Sequence, residues 1–472
     1  MSLSTTAPSS APAIAERVAQ LARLVPGIHG PGDPAYDDLR LPWHRAHDQR
    51  PAAVAQPASA AEVAALVTAA QAVGPRLAPQ GTGHGALPLA QHDLADVVLV
   101  RTGLLDELSV DADARHVRVG AGVRWGAVVE ATSPHGLAAL HGSSPTVGVA
   151  GYCLGGGIGW YARSLGMAAN SVTAIELVTA DGVHRRADAV ENPELYWALR
   201  GGGGALGIVT ALELRLEPIV DVVAGMLWWS IEHTDRVLRA WLTMTLDAPD
   251  CLTTSFRVMR FPDLPELPDT VRGRALVVID GAVLADDDTA ARLLAPLRAL
   301  DPELDTVARV PAATLPELHM DPIDPTPAAG HSTMLGALDD AAIAAFVAAV
   351  GPDADSPLLF AELRQLGGAL AREPEDAGVL GRLDGDYAML LLGIAPDAAT
   401  AARVRAESER VVDLMRPWST GAEYLNFAEG PADASRAYAP LAWERLVSIR
   451  SQHDPEELFV ANHRFRFDPP RS

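Results

Sequence analysis

Between about Asp48 and Pro218 the chain alternates short β-branched runs with glycine-rich turns and Ala-rich helical stretches. SAAEVAALVTAAQAVG (Ser59–Gly74) predicts a helix N-capped by Ser59, with Glu62 at the capping-box position. DVVLVRT and HVRVGAG follow as strands, and NSVTAIELVTADG and LGIVTALELRLEP close the region as strands bounded by turn residues. From about Ile219 to Thr420 the pattern shifts. WWSIEHTDRVLRAWLTMTL (Trp228–Leu246) and DDAAIAAFVAAVG read as amphipathic helices, RALVVIDGAVLA and PLLFAELRQLGG as strands. That mixture predicts an α+β domain whose antiparallel sheet is covered by helices on one face. The expected layout is a weakly ordered tail at 1–26, one domain at 27–218, a second at 219–420, and a segment 421–472 returning to the first.

Composition narrows the function. Hydrophobic residues make up 49% and charged residues 21%, a globular balance. The formal net charge of -23 repels phosphate backbones and anionic lipid heads, so neither nucleic acid nor membrane is an expected partner. No stretch approaches the ~20 apolar residues of a membrane span. MSLSTTAPSSAPAIAER lacks a basic n-region and an apolar h-region, which predicts a cytoplasmic protein with a disordered first dozen residues. Cys153 and Cys251 cannot form a zinc site or a disulfide framework. His141, His331 and His453 have no metal-ligand spacing and read as surface or packing residues, so no metal is expected.

Three glycine clusters carry the chemistry: QGTGHG (Gln80–Gly85), VGVAGYCLGGGIGW (Val147–Trp160) and RGGGGALGIV (Arg200–Val209). Glycine at this density lets backbone N–H groups approach an anionic ligand without Cβ obstruction. Any one cluster alone is equally a set of tight turns; three flanked by apolar strands point to a large anionic ligand. Gly202, Gly204 and Gly207 match the letter of G-x-G-x-x-G, but a helix-like segment precedes them and a strand follows, the reverse of a dinucleotide fingerprint. No Gly-Lys-Ser/Thr follows, so this is not a nucleotide-triphosphate loop. Ser143 and Ser144 lack a Gly-x-Ser-x-Gly elbow, which argues against a serine hydrolase.

Together with Pro145-Thr-Val-Gly-Val-Ala-Gly151, Gly155-Gly-Gly-Ile-Gly159, Asn192-Pro-Glu-Leu-Tyr-Trp-Ala-Leu-Arg-Gly-Gly-Gly-Gly204 and Gly207-Ile-Val-Thr210, the Gln80–His84 loop resembles the FAD-binding half of the vanillyl-alcohol-oxidase superfamily. Tyr424-Leu-Asn-Phe427, Asp454-Pro-Glu-Glu-Leu-Phe459 and Asn462-His463 are similar to its berberine-bridge-enzyme-like branch. The resemblance implies a two-part FAD-binding domain plus an α+β substrate domain. It implies that His84 bonds covalently to the flavin 8α-methyl group. A second link would need cysteine just before Pro145, where Ser144 stands, so one covalent bond is expected. By position, Gln80, Gly81, Thr82, Gly83 and Gly85 are expected at the pyrophosphate. Val147, Gly148, Gly151, Gly155, Gly156 and Gly157 are expected along the cofactor's other side, Gly207 and Val209 near the adenine, and Asn462 near the isoalloxazine.

On the substrate side the resemblance points to Tyr424 and Asn426, although Phe427 replaces a second tyrosine found in many relatives. Tyr424 is otherwise a packing residue. In PLLFAELRQLGG, alternation puts Glu362, Arg364 and Leu366 on one strand face. A glutamate buried beside apolar walls has its pKa raised and becomes a better base, and a neighbouring arginine opposes that rise. The pair is equally readable as a structural ion pair. Arg257 and Tyr387 are further strand-borne candidates. The expected function is an FAD-linked oxidase of an alcohol, amine or reduced ring carbon in secondary metabolism or catabolism, using O2. Its partner is a small-molecule substrate, and it is a monomer or homodimer. A flavin dehydrogenase, an oxidative rearrangement enzyme and an inactive flavin-binding protein are the alternatives.

Overall fold

A computed structural model describes residues 11–265, 267–430 and 432–465. The apolar runs gather into three sheets. The first contains β1 (Ile28–His29), β2 (Ala53–Ala55), β3 (Arg76–Gln80) and β4 (Val97–Arg101), ordered β1-β2-β4-β3. β2, β4 and β3 run parallel, and helix Ala60–Val73 makes the crossover. Val97, Val98, Leu99 and Val100 are all fully buried, as suits a parallel strand covered on both faces. The Ser59 hydroxyl accepts the Glu62 N–H at 3.2 Å, while the Glu62 carboxylate reaches back to the Ala58 N–H at 2.8 Å.

The second sheet is antiparallel: β5 (Leu108–Asp111), β6 (His116–Gly120), β7 (Val172–Val178), β8 (His184–Asp188) and β9 (Ile208–Arg215), ordered β5-β6-β9-β7-β8. The third comprises β10 (Asp221–Ser230), β11 (Leu252–Arg260), β12 (Ala275–Val283), β13 (Leu304–Asp305), β14 (Ala308–Pro311), β15 (Ala328–Leu335), β16 (Phe360–Gln365) and β17 (Tyr387–Ile394). Its order is β13-β10-β12-β11-β16-β17-β15, with β14 also on β10 and every pairing antiparallel. Helices Thr234–Leu246, Asp287–Arg298, Asp340–Val350 and Ala398–Met415 supply Trp241, Leu294, Phe346 and Val404 to a core shared with Phe256 and Leu363 of the sheet. The tail returns to the first sheet: the Leu77 N–H donates to Leu458 O at 2.9 Å and the Val460 N–H to Leu77 O at 2.8 Å.

Two expectations need correction. Trp228, Trp229 and Ser230 belong to β10, where Ser230 pairs with Leu276, and the helix starts only at Thr234. Aromatic residues favour a half-buried pleated surface, and that preference overrides the weak helical spacing. The tail is also more ordered than expected. Residues Ala11–Leu24 form a helix, and Leu21 and Val25 are buried in the core with Val63 and Leu66. The spacing of Val18, Leu21 and Val25 is helical, hidden by the Ser/Thr/Pro-rich start; residues 1–10, within the tail called disordered, lie outside the described residues. Among the described residues no helix is long and apolar enough to cross a membrane.

Candidate active site

Gln80 ends β3, so the Gly81–Gly85 loop leaves the C-terminal edge of a parallel sheet, where ligands of α/β sheets gather. Gly83 has φ +82°, and an added Cβ would stand 2.7 Å from Pro42 Cβ; only glycine fits. His84 Nδ1 lies 2.7 Å from Thr82 Oγ1 and Nε2 lies 3.2 Å from Thr146 Oγ1. Trp43 stacks on the ring with centroids 4.2 Å apart. Burial, aided by Arg124, lowers the His84 pKa to about 3, so the imidazole is neutral near pH 7. Ser144 Oγ is 3.0 Å from Thr146 Oγ1, one hydroxyl away from the histidine. Cys153 packs in the core, and burial pushes its thiol up.

The second glycine cluster abuts the first. A Cβ on Gly148 would come 3.5 Å from Thr82 Cγ2, and Val147 O accepts the Trp125 N–H at 3.0 Å. Helix Val149–Leu154 carries Gly151, whose Cβ position has nothing within 4 Å. The tail closes the loops from the other side. Asn462 Nδ2 donates to Gly85 O at 2.7 Å. Tyr424 is buried, and its hydroxyl accepts the Gly157 N–H at 2.9 Å. Asn426 Nδ2 donates to Tyr152 O at 3.0 Å, and a Cβ on Gly155 would overlap its amide, while one on Gly156 would meet Leu380, Met167 and Tyr424. Burial pushes the Tyr424 phenol up to about 12, against the Gly157 N–H and the Asn426 amide. Gly207 leads into β9, where an added Cβ would stand 2.6 Å from Val178 O, and Val209 pairs with Leu177 within the second sheet.

Register builds the facing wall. Arg257 is the Cα partner of Glu362, and Ser255 partners both Arg364 and Asp280. Side chains alternate, so these polar groups share one face while Phe256 and Leu363 enter the helix-covered core. Arg257 pairs with Asp280, and Arg364 Nε donates to Glu362 Oε1 at 2.6 Å. His319 enters this face with Nδ1 3.0 Å from Asp321 Oδ1 and Nε2 3.8 Å from Glu362 Oε2. Ser143 Oγ donates to the far oxygen of Asp321 at 3.0 Å, which joins the wall to the glycine loops. The Arg364 guanidinium stands 5.3 Å from the Phe427 ring centre, and a small cavity beside it is lined by Ser143, Trp160 and Ser255. Burial pushes the Glu362 carboxyl up, but Arg364, His319 and Arg257 draw it down further, leaving it below its ordinary value. The arginine thus wins the opposition anticipated from sequence. Tyr387 faces the other way, its hydroxyl 2.8 Å from Thr245 Oγ1. Asp280, His319 and Asp321 escaped sequence reasoning because they lie outside the glycine and tail motifs.

These residues fit FAD. The Cβ positions of Gly151 and Gly204 are open within 4 Å, and those of Gly81 and Gly85 meet nothing nearer than 3.7 Å. Beside this cradle Arg101 donates to Gln80 Oε1, and burial with Arg124 and Arg45 lowers its pKa to about 10. None of these three arginines pairs with an acid among the described residues, leaving positive charge for a pyrophosphate. A lone arginine ending the apolar run Val97–Val100 was the available sequence signal.

Residues 51–188 match the family model described as an FAD binding domain. The chain is 33% identical over 219 residues, 46% of its length, to (R)-6-hydroxynicotine oxidase of Paenarthrobacter nicotinovorans, and that stretch covers 47% of the relative. It is 33% identical over 225 residues, 47% of its length, to an FAD-dependent monooxygenase of Penicillium roqueforti, covering 44% of it. The match therefore spans about half the length of these curated relatives. The whole fold resembles BBE-like 1 of Physcomitrella patens, with TM-score 0.82 at 21% identity over 96% of this chain and 99% of that one. It also resembles 6-hydroxy-D-nicotine oxidase of Arthrobacter nicotinovorans, with TM-score 0.78 at 24% identity over 94% and 98%. The chain thus carries an FAD-binding domain over residues 51–188 and shares the overall fold of the BBE-like protein and of 6-hydroxy-D-nicotine oxidase.

Proposed function

We propose that this protein is an oxidase of a small-molecule alcohol, amine or reduced ring carbon, with FAD joined covalently to His84 alone. Residues 27–218 with 421–472 hold the cofactor, and 219–420 carry the substrate wall. The observation that carries the reading is the meeting of Tyr424 with the second glycine loop, opposite the Glu362–Arg364 pair across Phe427. Bound FAD supplies the redox chemistry, accepting hydride from the substrate carbon and passing the electrons to O2 as peroxide. The chain's own part is to position that carbon and take the proton from the adjacent O–H or N–H. Glu362 is the base: its carboxylate is ionised near pH 7, and Arg364 and His319 hold it in place. Tyr424, protonated up to about pH 12, orients the substrate by a hydrogen bond and does not act as a phenolate base. Asn426 holds Tyr152 and the Gly155 backbone at their present distance.

Two measurements test this. A tryptic peptide containing His84 should carry 8α-histidyl FAD, whereas complete release of FAD on acid precipitation would refute the linkage. Anaerobic flavin bleaching by hydroxylated aromatics, polyketides, sugars and amines, followed by peroxide release in air, identifies the oxidase. Bleaching without peroxide would instead identify a dehydrogenase.

A further inference from the structure

We propose that Trp43 and the Thr146–Ser144 hydroxyl pair are positioning residues for His84, fixing the orientation in which its imidazole joins the flavin and receiving its Nε2 proton. The proposal rests on the reading of His84 as the attachment point. Three contacts converge on one ring. The Trp43 indole lies nearly parallel to it, at 14° and 4.2 Å between centroids. The backbone that carries the indole is itself pinned, because the Trp43 main-chain N–H donates to Thr82 O at 2.9 Å and the His44 main-chain N–H to Gly83 O at 3.4 Å. The segment therefore runs alongside the loop it braces, and the ring cannot swing away from Thr82 without losing the stack.

The two hydroxyls can hold either tautomer of the ring, and attachment through Nδ1 uses the one with its proton on Nε2. A neutral imidazole has one N–H and one lone pair, and the low pKa of His84 keeps the ring neutral. With the proton on Nε2, donated to Thr146, the lone pair is left on Nδ1 beside Thr82. Ser144 completes the line by exchanging a hydrogen bond with Thr146 at 3.0 Å. Attachment then balances as follows. One C–H bond of the 8α-methyl group breaks and its proton leaves. The C8α–Nδ1 bond forms, and the Nε2 proton departs through Thr146. The electron pair remaining on the flavin is removed by O2. Ser144, which stands where a cysteine would make a second link, in this chain serves the first.

The test uses full-length protein incubated with FAD in air, with attachment read as flavin fluorescence of the denatured band and as intact mass. Trp43→Ala and Thr146→Val should each slow attachment on the order of tenfold or more, the scale expected when a reacting group loses its orientation. Trp43→Phe keeps a stacking ring and Thr146→Ser keeps the hydroxyl, so both should stay within about threefold of wild type. Noncovalent FAD binding, read by quenching of flavin fluorescence, should persist in all four and shows that the cradle is folded. Attachment at the wild-type rate in Trp43→Ala and Thr146→Val overturns the proposal. Equal loss in the Phe and Ser variants also overturns it, because it would mark these residues as merely structural. Wild-type protein without covalent flavin would sink the reading of His84 itself, a different result from wild-type attachment that ignores Trp43.

Discussion

Arg257 stands directly opposite Glu362 across the β11–β16 ladder, yet each bonds elsewhere: Arg257 to Asp280 and Glu362 to Arg364. Two adjacent ion pairs, with His319 between their acids, hold Glu362 ionised in a wall that excludes most water. Removing one acid from such a set leaves an uncompensated arginine, so the effects of substitution exceed a single contact.

Glu362→Gln keeps the shape but cannot take a proton. Turnover should fall by at least about tenfold while FAD stays bound. Steady-state rates with a bleaching substrate, alongside the flavin spectrum, check this; near-wild-type turnover would exclude Glu362 as the base.

Tyr424→Phe deletes the hydroxyl that accepts the Gly157 N–H. Because the phenol is raised to about 12, it stays protonated throughout the working range, and its removal should lower the rate without moving either limb of the pH profile between about 6 and 9. A limb that disappears in the variant would assign a titrating role to Tyr424 and contradict the orienting one.

A methyl group on Gly155 would overlap the Asn426 amide. Gly155→Ala should therefore destabilise the protein by about 1–3 kcal/mol, the usual cost of overpacking. The double variant Gly155→Ala/Asn426→Gly should regain part of the loss. Denaturant midpoints of the four proteins in the cycle decide it, and strict additivity would show that the two sites do not meet.

Buried neutral histidines set the acid limit. Burial lowers His47, His141 and His463 to about 4, from an ordinary value of 6.5. The unfolded chain takes up these protons first, so their stabilisation is complete above about pH 6.5 and is lost as pH falls toward 4. For His141 alone, His141→Gln should make the stability-versus-pH slope in that window shallower by up to about 1.4 kcal/mol per pH unit. Urea denaturation at stepped pH measures it; an unchanged slope would mean that His141 titrates alike in both states.

Much of this was legible in advance because backbone chemistry leaves local marks. Glycine density flagged the loops, and the cap at Ser59 placed a helix start. The β16 alternation placed Glu362 and Arg364 on one face before any register was known. What escaped depends on pairs distant in sequence. Asp280 and His319 join the wall through strand register and a turn, neither of which leaves a local signature. Trp43 is nearly forty residues before the loop it braces. Tyr387 was misread because alternation gives two faces without saying which one meets the helices. Trp228 and Trp229 were misread because a short aromatic run suits either period.

The closing contacts of the tail carry a temporal consequence. Leu458 and Val460 complete the edge beside Leu77, and Asn462 grips Gly85. Those partners emerge from the ribosome hundreds of residues after the loop does. The first half of the nascent chain therefore has the glycines of a cradle but not its back. Completion of the cradle is a late event in the life of each molecule, and a chain stalled during synthesis before Asn462 would lack both the strand-edge contacts at Leu77 and the bond that holds Gly85.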